Sequence, residues 1–588
     1  MPLFNKSKNS TPSILFKKLC ITSFLILICS IYSQAQQLDA VGKGALLKVS
    51  GSIATNQIAY FANGISSRRD PYNYFVSGNL NFDIYGWSVP LGFTYSNQSK
   101  GAFQQPFNQY GLTPTYKWIT AHLGYSSMSF SGYTLNGHLF NGAGVDLAPP
   151  GNFKLSAMYG RLQKAVKVDT SNLSAQAVEP VYKRMGYGIK ASYSKDKDNI
   201  DLIIFKAKDD LASNPTLPAN GIVTPLDNLV TGLNLSKVFF KHILFSGEFA
   251  LSALTRDQRA AKDSAKTGNI PNLGFLLSPN SSTALYTAYK TSLAYNVGKY
   301  TVGAGYERVA PEYQTLGAYY FSNDFENITG SLTTKLLADK MSIALNAGVQ
   351  KNDLRKDKQS SMKRFVGSAN LAYQASTKLN FNATYSNFQS FVNIKPSFNQ
   401  INELTPYDNL DTLNYTQISQ NINLNSNYIL SRNKEKSQAL NVNVSYMTSN
   451  DKQGEITKNT GAAFYNLNTS YNISWIPQNL SLTASISVNR NEVSVIKSGT
   501  FGPTIGVNKS FFDKKLRSSF SASLNRSYAN GTLNSEVANL RLSNSYIVKK
   551  KHNLNLSMVA LNRGSGSVLI QNQTFTEFTT TLGYNYSF

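Results

Sequence analysis

The dominant pattern along the chain is an alternation of apolar and polar residues. One clear run has its apolar positions at Trp87, Val89, Leu91, Phe93 and Tyr95. The same alternation recurs over residues 465–475 and 480–488. A period of two predicts β-strands that have one apolar and one polar face. Each run extends over about ten residues, which suits a tilted membrane strand, whereas strands of soluble domains have about five or six.

The connections between these runs alternate in length. Short turns are predicted at Tyr85–Gly86 and at residues 149–152, 297–299, 476–479 and 513–515. The longest polar connections extend from Lys208 to Asp227, from Ala260 to Asn280 and from Asn393 to Gln417. Short turns at one end and long loops at the other are typical of transmembrane barrels. The chain is therefore predicted to be all-β, a single large antiparallel transmembrane β-barrel of about 26 strands spanning residues 46–588.

Two prolines interrupt this pattern. Pro90 and Pro114 both fall inside predicted strands. Proline cannot donate a ladder hydrogen bond, and a closed barrel has no free edge strand to accommodate it. Each proline therefore implies either a bulge or a local error in the predicted strand.

The first 35 residues have the features of an export signal. Lys6, Lys8, Lys17 and Lys18 precede an apolar segment over residues 19–32, and Ser33-Gln34-Ala35 supplies small residues for cleavage. This order predicts a signal peptide over residues 1–35, a short periplasmic segment over 36–45 and a barrel over 46–588. The alternative is a retained anchor, for which the apolar segment is too short.

The cysteines add no chemistry to the exported chain. Cys20 and Cys29 both lie in the predicted signal peptide, and Ile28 stands where a lipoprotein signal needs a small residue. The mature protein is therefore expected to have no disulfide and no lipid anchor on cysteine.

Composition supports an exported barrel and not a set of soluble domains. Only 15% of the 588 residues are charged, against about a quarter in soluble domains. The formal net charge is nevertheless +25. A basic excess is typical of proteins that bind nucleic acid, but an exported chain meets lipid phosphates and acidic glycans first. No nucleic-acid partner is expected, and the charge is assigned to the lumen and the loops.

The end of the chain carries a recognisable motif. Leu582, Tyr584, Tyr586 and Phe588 alternate up to a terminal aromatic residue, which resembles the C-terminal signal of outer-membrane barrels. The chain is rich in Asn, Tyr and Ser, as outer-membrane β-barrel proteins of Bacteroidota type are. Residues 144–161 and 307–327 also resemble segments of such barrels. The resemblance implies a place in the cell outer membrane and recognition by the barrel-assembly machinery. It attaches no activity to the chain.

The alternation also assigns mid-strand charges to the polar, lumen-facing side. The basic residues of this set are Lys48, Lys117, Lys154, Arg184, Lys190, Lys290, Lys335, Arg517 and Arg541. The acidic residues are Asp83, Asp146, Asp201 and Glu248. Basic residues outnumber acidic ones, which favours a passage for anions. The alternative is that these groups only pair, solvate the wall and fill space.

No catalytic or metal-binding motif stands out. His122, His138, His242 and His552 share no metal-ligand spacing, and the nucleotide-binding glycine patterns are absent. A Ser-His-Asp triad could be assembled from scattered residues, but nothing in the sequence singles one out. No cofactor and no enzymatic activity are expected.

Three functions remain open at this stage. The first is a porin or export channel for a large or anionic solute. The second is a closed barrel for surface display, anchoring or adhesion, and the third and weakest is an outer-membrane enzyme. The short predicted segment before the first strand has no room for a plug domain, so inward loops, a flattened cross-section or a partner must narrow a barrel of this size. Expected partners are outer-membrane lipid, lipopolysaccharide, the assembly machinery and an exported or surface-anchored protein.

Overall fold

A computed structural model describes most of the chain after the predicted signal peptide. The described residues are 47–84, 87–97, 108–166, 180–214, 223–262, 270–319, 321–356, 363–387, 390–393, 415–418, 420–449, 462–493, 496–565 and 574–588. The predicted signal peptide and the segment 36–45 lie outside them. Helical structure in the described residues is confined to a 3-10 turn at Leu211–Ser213. Within the same residues, no helix is long and apolar enough to cross a membrane.

The structure consists almost entirely of β-strands. In the first half of the chain they are β1 (Leu47–Asn63), β2 (Tyr72–Ile84), β3 (Trp87–Ser96), β4 (Gln109–Leu112), β5 (Thr115–Tyr116), β6 (Ile119–Ser129), β7 (Asn136–Leu147), β8 (Phe153–Gln163), β9 (Lys183–Lys195), β10 (Asp198–Asp210), β11 (Asp227–Phe239), β12 (Ile243–Thr255), β13 (Thr283–Val297), β14 (Tyr300–Val309) and β15 (Phe325–Leu336). In the second half they are β16 (Met341–Asn352), β17 (Lys363–Gln374), β18 (Leu379–Ser386), β19 (Ser390–Asn393), β20 (Tyr415–Ile418), β21 (Gln420–Arg432), β22 (Lys436–Ser449), β23 (Ala462–Trp475), β24 (Leu480–Val493), β25 (Ile496–Phe511), β26 (Leu516–Ala529), β27 (Thr532–Val548), β28 (His552–Ser565) and β29 (Phe575–Ser587).

The strands close into one antiparallel ring. Each strand pairs with its neighbours in the chain, and β29 pairs with β1 to complete the circle. The short strands β4 and β5 share one place between β3 and β6, so the 27-stranded sheet forms a closed barrel of 26 positions. Strands β19 and β20 form a separate hairpin. The predicted all-β barrel is confirmed, and its strand number agrees with the sequence pattern.

The two unusual prolines lie on neighbouring strands but face different seams. Pro90 stays within β3, opposite Asn81 of β2, and its carbonyl accepts a hydrogen bond from Thr113 N at 2.9 Å. The side of Pro90 that lacks an N–H therefore faces β4 and β5, where the strand is interrupted at residues 113–114. Pro114 accordingly marks a strand break, and the uninterrupted strand predicted there is wrong. The carbonyl of Pro114 accepts a hydrogen bond from Ala121 N of β6 at 2.9 Å, so the seam with β3 lacks only the donor of Pro90.

The two ends of the barrel differ in their connections. At the end that holds Leu47 and Ser587, the strands are joined by links of two to five residues; we call it the short-turn end. The opposite end, the loop end, carries the long connections 256–282 and 310–324. Of the longest predicted loops, 393–417 lies almost wholly outside the described residues.

The two faces of the wall differ as the alternation predicts. The register places Leu91, Phe93, Leu467, Ile473, Ile486 and Leu582 on the same outward, apolar face. Leu467, Ile486 and Leu582 remain about two-fifths to one-half exposed in the isolated barrel, as expected for side chains that face lipid. Many Asn, Ser and Thr residues occupy the inner face, together with mid-strand charges such as Asp201, Glu248 and Lys290. Charges on the outer face, such as Asp210, Glu326 and Glu536, lie near strand ends.

Candidate functional site: the barrel interior

A row of charged and amide side chains crosses nine neighbouring strands of the inner wall, from β8 to β16. Cross-strand pairing aligns these residues from β8 to β16. In order they are Lys154, Ser192, Asp201, Asn234, Glu248, Lys290, Glu307, Asn327 and Gln350. We call this row the charged rung. Because the strands tilt, it rises from the short-turn end at β8 to the loop end at β16.

Most carboxylates of the charged rung are already engaged. Asp201 lies 3.9 Å from Lys190 Nζ and accepts a hydrogen bond from Asn234. Glu307 accepts from Asn327 at 3.2 Å. Lys290 stands between Glu248 and Glu307 in the register. From β9 to β14, the carboxylates of the rung are therefore hydrogen-bonded or stand beside a lysine.

Two loops fold inward and bond to this rung. We call residues 131–135 and 310–319 together the loop cluster. Tyr133 donates its hydroxyl to Glu307 Oε1 at 2.6 Å and its backbone N–H to Glu248 Oε1 at 3.0 Å. Tyr313 donates its hydroxyl to the carbonyl of Tyr133 at 2.7 Å. The β6–β7 loop is thus fixed to the inner faces of β12 and β14.

The loop cluster has an apolar core of its own. Tyr133, Leu135, Tyr313 and Leu316 pack with wall residues such as Phe205 in one buried cluster. Burial of this apolar area is the main stabilising contribution.

Close backbone approach lets the two loops pack together. A Cβ at Gly317 would lie 2.7 Å from the carbonyl oxygen of Thr134. Only glycine permits this contact without displacing the backbone. Asn136 N donates to the carbonyl of Gly317 at 2.9 Å.

The electrostatics of the loop cluster reflect its burial. Desolvation, followed by the charge of Glu307, raises the pKa of Tyr133, so its hydroxyl remains a donor. The hydrogen bond from Tyr286, helped by Arg256, lowers the pKa of Glu312. Glu312 therefore stays ionised and binds Arg256 and Arg355 at 3.1 and 3.4 Å. These contacts tie the β14–β15 loop to the ends of β12 and β16.

The other part of the wall has a different chemistry. From β17 to β25 one row of paired positions reads Asn370, Thr384, Asn423, Ser445, Asn466, Asn489 and Thr500. Every member is neutral and small, and several bond to each other, as Asn489 does to Thr500 at 3.0 Å. The interior thus contains a charged section from β8 to β16 that carries the loop cluster, and next to it a neutral amide and hydroxyl section from β17 to β25.

The predicted basic residues separate into three groups by depth. Lys48, Lys154, Lys335 and Arg517 lie on the inner face near the short-turn end. Lys190, Lys290 and Arg541 lie further along their strands. Arg184 lies near the loop end, where it binds Asp209 at 2.7 and 3.1 Å.

Lys117 is the exception in this set. It lies in the turn between β5 and β6, with Nζ 5.1 Å from the ring of Tyr116. Its backbone has a positive φ of 52°. The expected position of Lys117 on the strand wall is therefore corrected to the rim, because the strand ends one residue earlier than the alternation suggests.

Lys154, Lys335 and Arg517 lack carboxylate partners in the described part of the chain. No carboxylate lies within 4.0 Å of their cationic groups, since none of the three is among the ion-paired residues there. Lys48 is a weaker case because Asp83 stands directly opposite it in the register. The uncompensated charge of the inner wall is therefore positive and is concentrated near the short-turn end.

One serine, histidine and aspartate come together on the inner wall. His122 Nε2 lies 2.8 Å from Asp146 Oδ2, and Ser126 Oγ lies 3.2 Å from His122 Nδ1. A serine hydrolase uses the two ring nitrogens in the opposite way and needs free N–H donors for an oxyanion. Here the surrounding residues belong to the β6–β7 ladder. The arrangement suits a hydrogen-bonded wall and not a hydrolytic site.

The remaining histidines and acidic groups are dispersed. His138 stacks on Tyr319, and His552 bonds to Tyr584. Among the described residues, no three His, Cys, Asp or Glu side chains are grouped as metal ligands.

Sequence reasoning missed Tyr133 and Tyr313, which fasten the loop cluster. Both lie between strands, where an alternation carries no information about packing. The only available signal was the density of apolar and glycine residues in these connections.

Comparison with known structures returns other outer-membrane β-barrels at low similarity. No protein-family model matches the chain, and no curated protein sequence matches it. Among solved structures, the FrpB iron transporter from Neisseria meningitidis aligns over 92% of this chain and 82% of its own, with a TM-score of 0.35 and 10% identity.

Two further structures align at the same low level. The translocation pore of the P pilus usher PapC covers 92% and 100% of the two chains, with a TM-score of 0.33 and 11% identity. OccAB2 of Acinetobacter baumannii covers 74% and 98%, with a TM-score of 0.27 and 9% identity. These neighbours are outer-membrane β-barrels, but scores this low carry no information on solute or mechanism.

Proposed function

We propose that this protein is an outer-membrane passage, a porin or export channel, for a large or anionic solute. The proposal rests on the uncompensated positive charge of Lys154, Lys335 and Arg517 on the inner face near the short-turn end. Fixed charges act over about 8 Å at physiological salt. An anion that enters at this end would be attracted, while a cation would be repelled.

The division of the interior suggests the route. The loop cluster covers the charged section of the wall, so the passage would follow the neutral section from β17 to β25. Small amide and hydroxyl groups there offer hydrogen bonds without a strong fixed charge. A solute would therefore be selected at the mouth and then move along a weakly binding wall.

Ion selectivity in a planar bilayer tests the proposal. Reversal potentials in a salt gradient should show an anion preference that weakens as salt rises. The variant Lys154→Gln, Lys335→Gln, Arg517→Gln should lose most of that preference. A matched control is Lys208→Gln, Lys351→Gln, Lys497→Gln, which changes the net charge equally on the outer face. A cation preference in the native protein, or equal effects of both variants, would refute the mouth-charge mechanism.

A closed barrel for display, anchoring or adhesion is the second candidate. The observation that favours it is the buried core of the loop cluster, which gives the loop end a rigid surface. A folded protein that never conducts would support this candidate over the passage.

A further inference from the structure

The turns at the short-turn end carry many more lysines than carboxylates. The lysines are Lys117, Lys197, Lys241, Lys299, Lys340, Lys378, Lys434, Lys514, Lys515, Lys549, Lys550 and Lys551, and the carboxylates are Asp196, Asp339, Glu435 and Asp513. None of these lysines is ion-paired within the described part of the chain.

The outer face at the loop end is arranged differently. Its carboxylates Asp210, Asp227, Glu326, Glu492 and Glu536 are each held by a nearby lysine or arginine. Arg526, for example, lies 2.6 Å from Glu536. The carboxylates there are matched within the protein, whereas the short-turn end carries a dense group of lysines that need an external anion.

The lysines are densest in two neighbouring turns. We call Lys509, Lys514, Lys515, Lys549, Lys550 and Lys551 the lysine cluster. Ile547 N donates to the carbonyl of Lys515 at 2.8 Å, so the β25–β26 and β27–β28 turns are adjacent. Asp513 is the acidic side chain within these two turns.

The turn that holds Lys549 and Lys550 has a left-handed backbone. Lys549 and Lys550 have φ values of 50° and 62°. Asn and Gly tolerate this conformation best. The same conformation occurs at Phe240, Leu337 and Ala338 in other short turns, so it is a feature of these turns and not of lysine.

Apolar side chains in the same turns indicate a lipid environment. Phe512 is 69% exposed at the tip of its turn. Lys509 Nζ lies 5.8 Å from the ring of Phe511, and both project from the outward face. An aromatic ring at the acyl boundary beside a lysine that reaches outward is the pattern of a membrane interface. A soluble acidic partner would not require the exposed phenylalanine.

We propose that the lysine cluster binds the phosphate of anionic phospholipid headgroups in the leaflet at the short-turn end. The ammonium groups neutralise the phosphates while Phe511 and Phe512 lie among the acyl chains. This site does not depend on whether the barrel conducts. It would orient the barrel, because the cations without ion pairs are densest at the short-turn end, whereas the outer-face carboxylates lie at the loop end.

Native mass spectrometry of the full barrel in detergent tests this, with equal amounts of phosphatidylglycerol and phosphatidylethanolamine added. The native protein should retain phosphatidylglycerol in excess. The variant Lys514→Gln, Lys515→Gln, Lys549→Gln, Lys550→Gln should lose that excess, by about fivefold for each lysine in contact. The control Lys208→Gln, Lys351→Gln, Lys363→Gln, Lys497→Gln makes the same charge change at the loop end and should keep it.

A second variant separates lipid binding from folding. Lys549→Asn with Lys550→Gly supplies the residues that this turn favours. It should resist heat unfolding at least as well as the native barrel and still retain less phosphatidylglycerol. Unchanged phosphatidylglycerol retention in both cluster variants would overturn the proposal. Binding of polyglutamate that phosphatidylglycerol does not displace would also overturn it, in favour of an acidic protein partner.

Discussion

At the scale of single residues, neighbouring positions of one strand have opposite environments. Leu467 faces outward between Val444 and Val488, and Asn468 faces the interior between Asn443 and Ser487. Leu467→Arg should therefore weaken folding into a bilayer by about 2–4 kcal/mol at mid-depth. Asn468→Arg should be tolerated, because its charge enters the lumen. Urea titrations of both variants in lipid vesicles measure this, and equal damage would contradict the register.

A second residue-scale prediction concerns the hydroxyl of Tyr133. Tyr133→Phe removes the donor to Glu307 and leaves a partly buried carboxylate less satisfied. Such a loss costs about 1–3 kcal/mol, which should loosen the β6–β7 loop without unfolding the barrel. Limited proteolysis should cut this loop faster, while the outward-facing control Tyr159→Phe should behave as the native protein. Unchanged cleavage would mean that apolar packing alone holds the loop.

At the scale of elements, the inward β14–β15 loop is separable from the wall. Strands β14 and β15 pair along their full lengths independently of the loop. Replacement of residues 311–318 by a flexible Gly-Ser linker should therefore leave a folded barrel with a larger single-channel conductance. Truncation of the turn 476–479 at the opposite end serves as the control. A conductance unchanged by the loop replacement would place the passage away from the loop cluster.

The last strand is the element with a predicted role in assembly. Phe588 exchanges two backbone hydrogen bonds of 3.0 Å with Gly51 and stacks on Tyr586. Deletion of Phe588 should leave the chain in the periplasm, whereas Phe588→Tyr should reach the surface. Refolding of the purified deletion into detergent distinguishes recognition from stability. Failure in cells together with normal refolding in vitro would support a signal read by the assembly machinery.

At the scale of the whole molecule, ion pairs within the wall decide which charges can act on a solute. The sequence assigns Lys117, Lys190 and Lys335 alike to the lumen, so a variant with all three changed to glutamate would treat them as equivalent. The structure separates them, because Lys117 lies at the rim, Lys190 lies beside Asp201 and Lys335 lacks a carboxylate partner. The single variant Lys335→Glu should therefore shift the reversal potential more than Lys117→Glu or Lys190→Glu does. Equal shifts would mean that local pairing is unimportant.

The sequence by itself determined the architecture. Alternation with a period of two specifies which face of each strand meets lipid, and this local pattern does not depend on distant residues. Turn lengths then specify an antiparallel order, and an even number of strands brings both ends to one side. These constraints were sufficient for the all-β barrel, its strand number and the outward position of residues such as Leu467 and Ile486.

Only the tertiary structure decided how the interior is organised. Arg184 pairs with Asp209, and Tyr133 bonds to Glu248 and Glu307, which are distant in the chain. These contacts, like the strand break at Pro114, depend on how the strands come together in the closed barrel. Alternation gives the face of a side chain but not its depth or its partner. Inward loops have no period at all, because their positions follow from burial of apolar area against a wall that exists only once the barrel has closed.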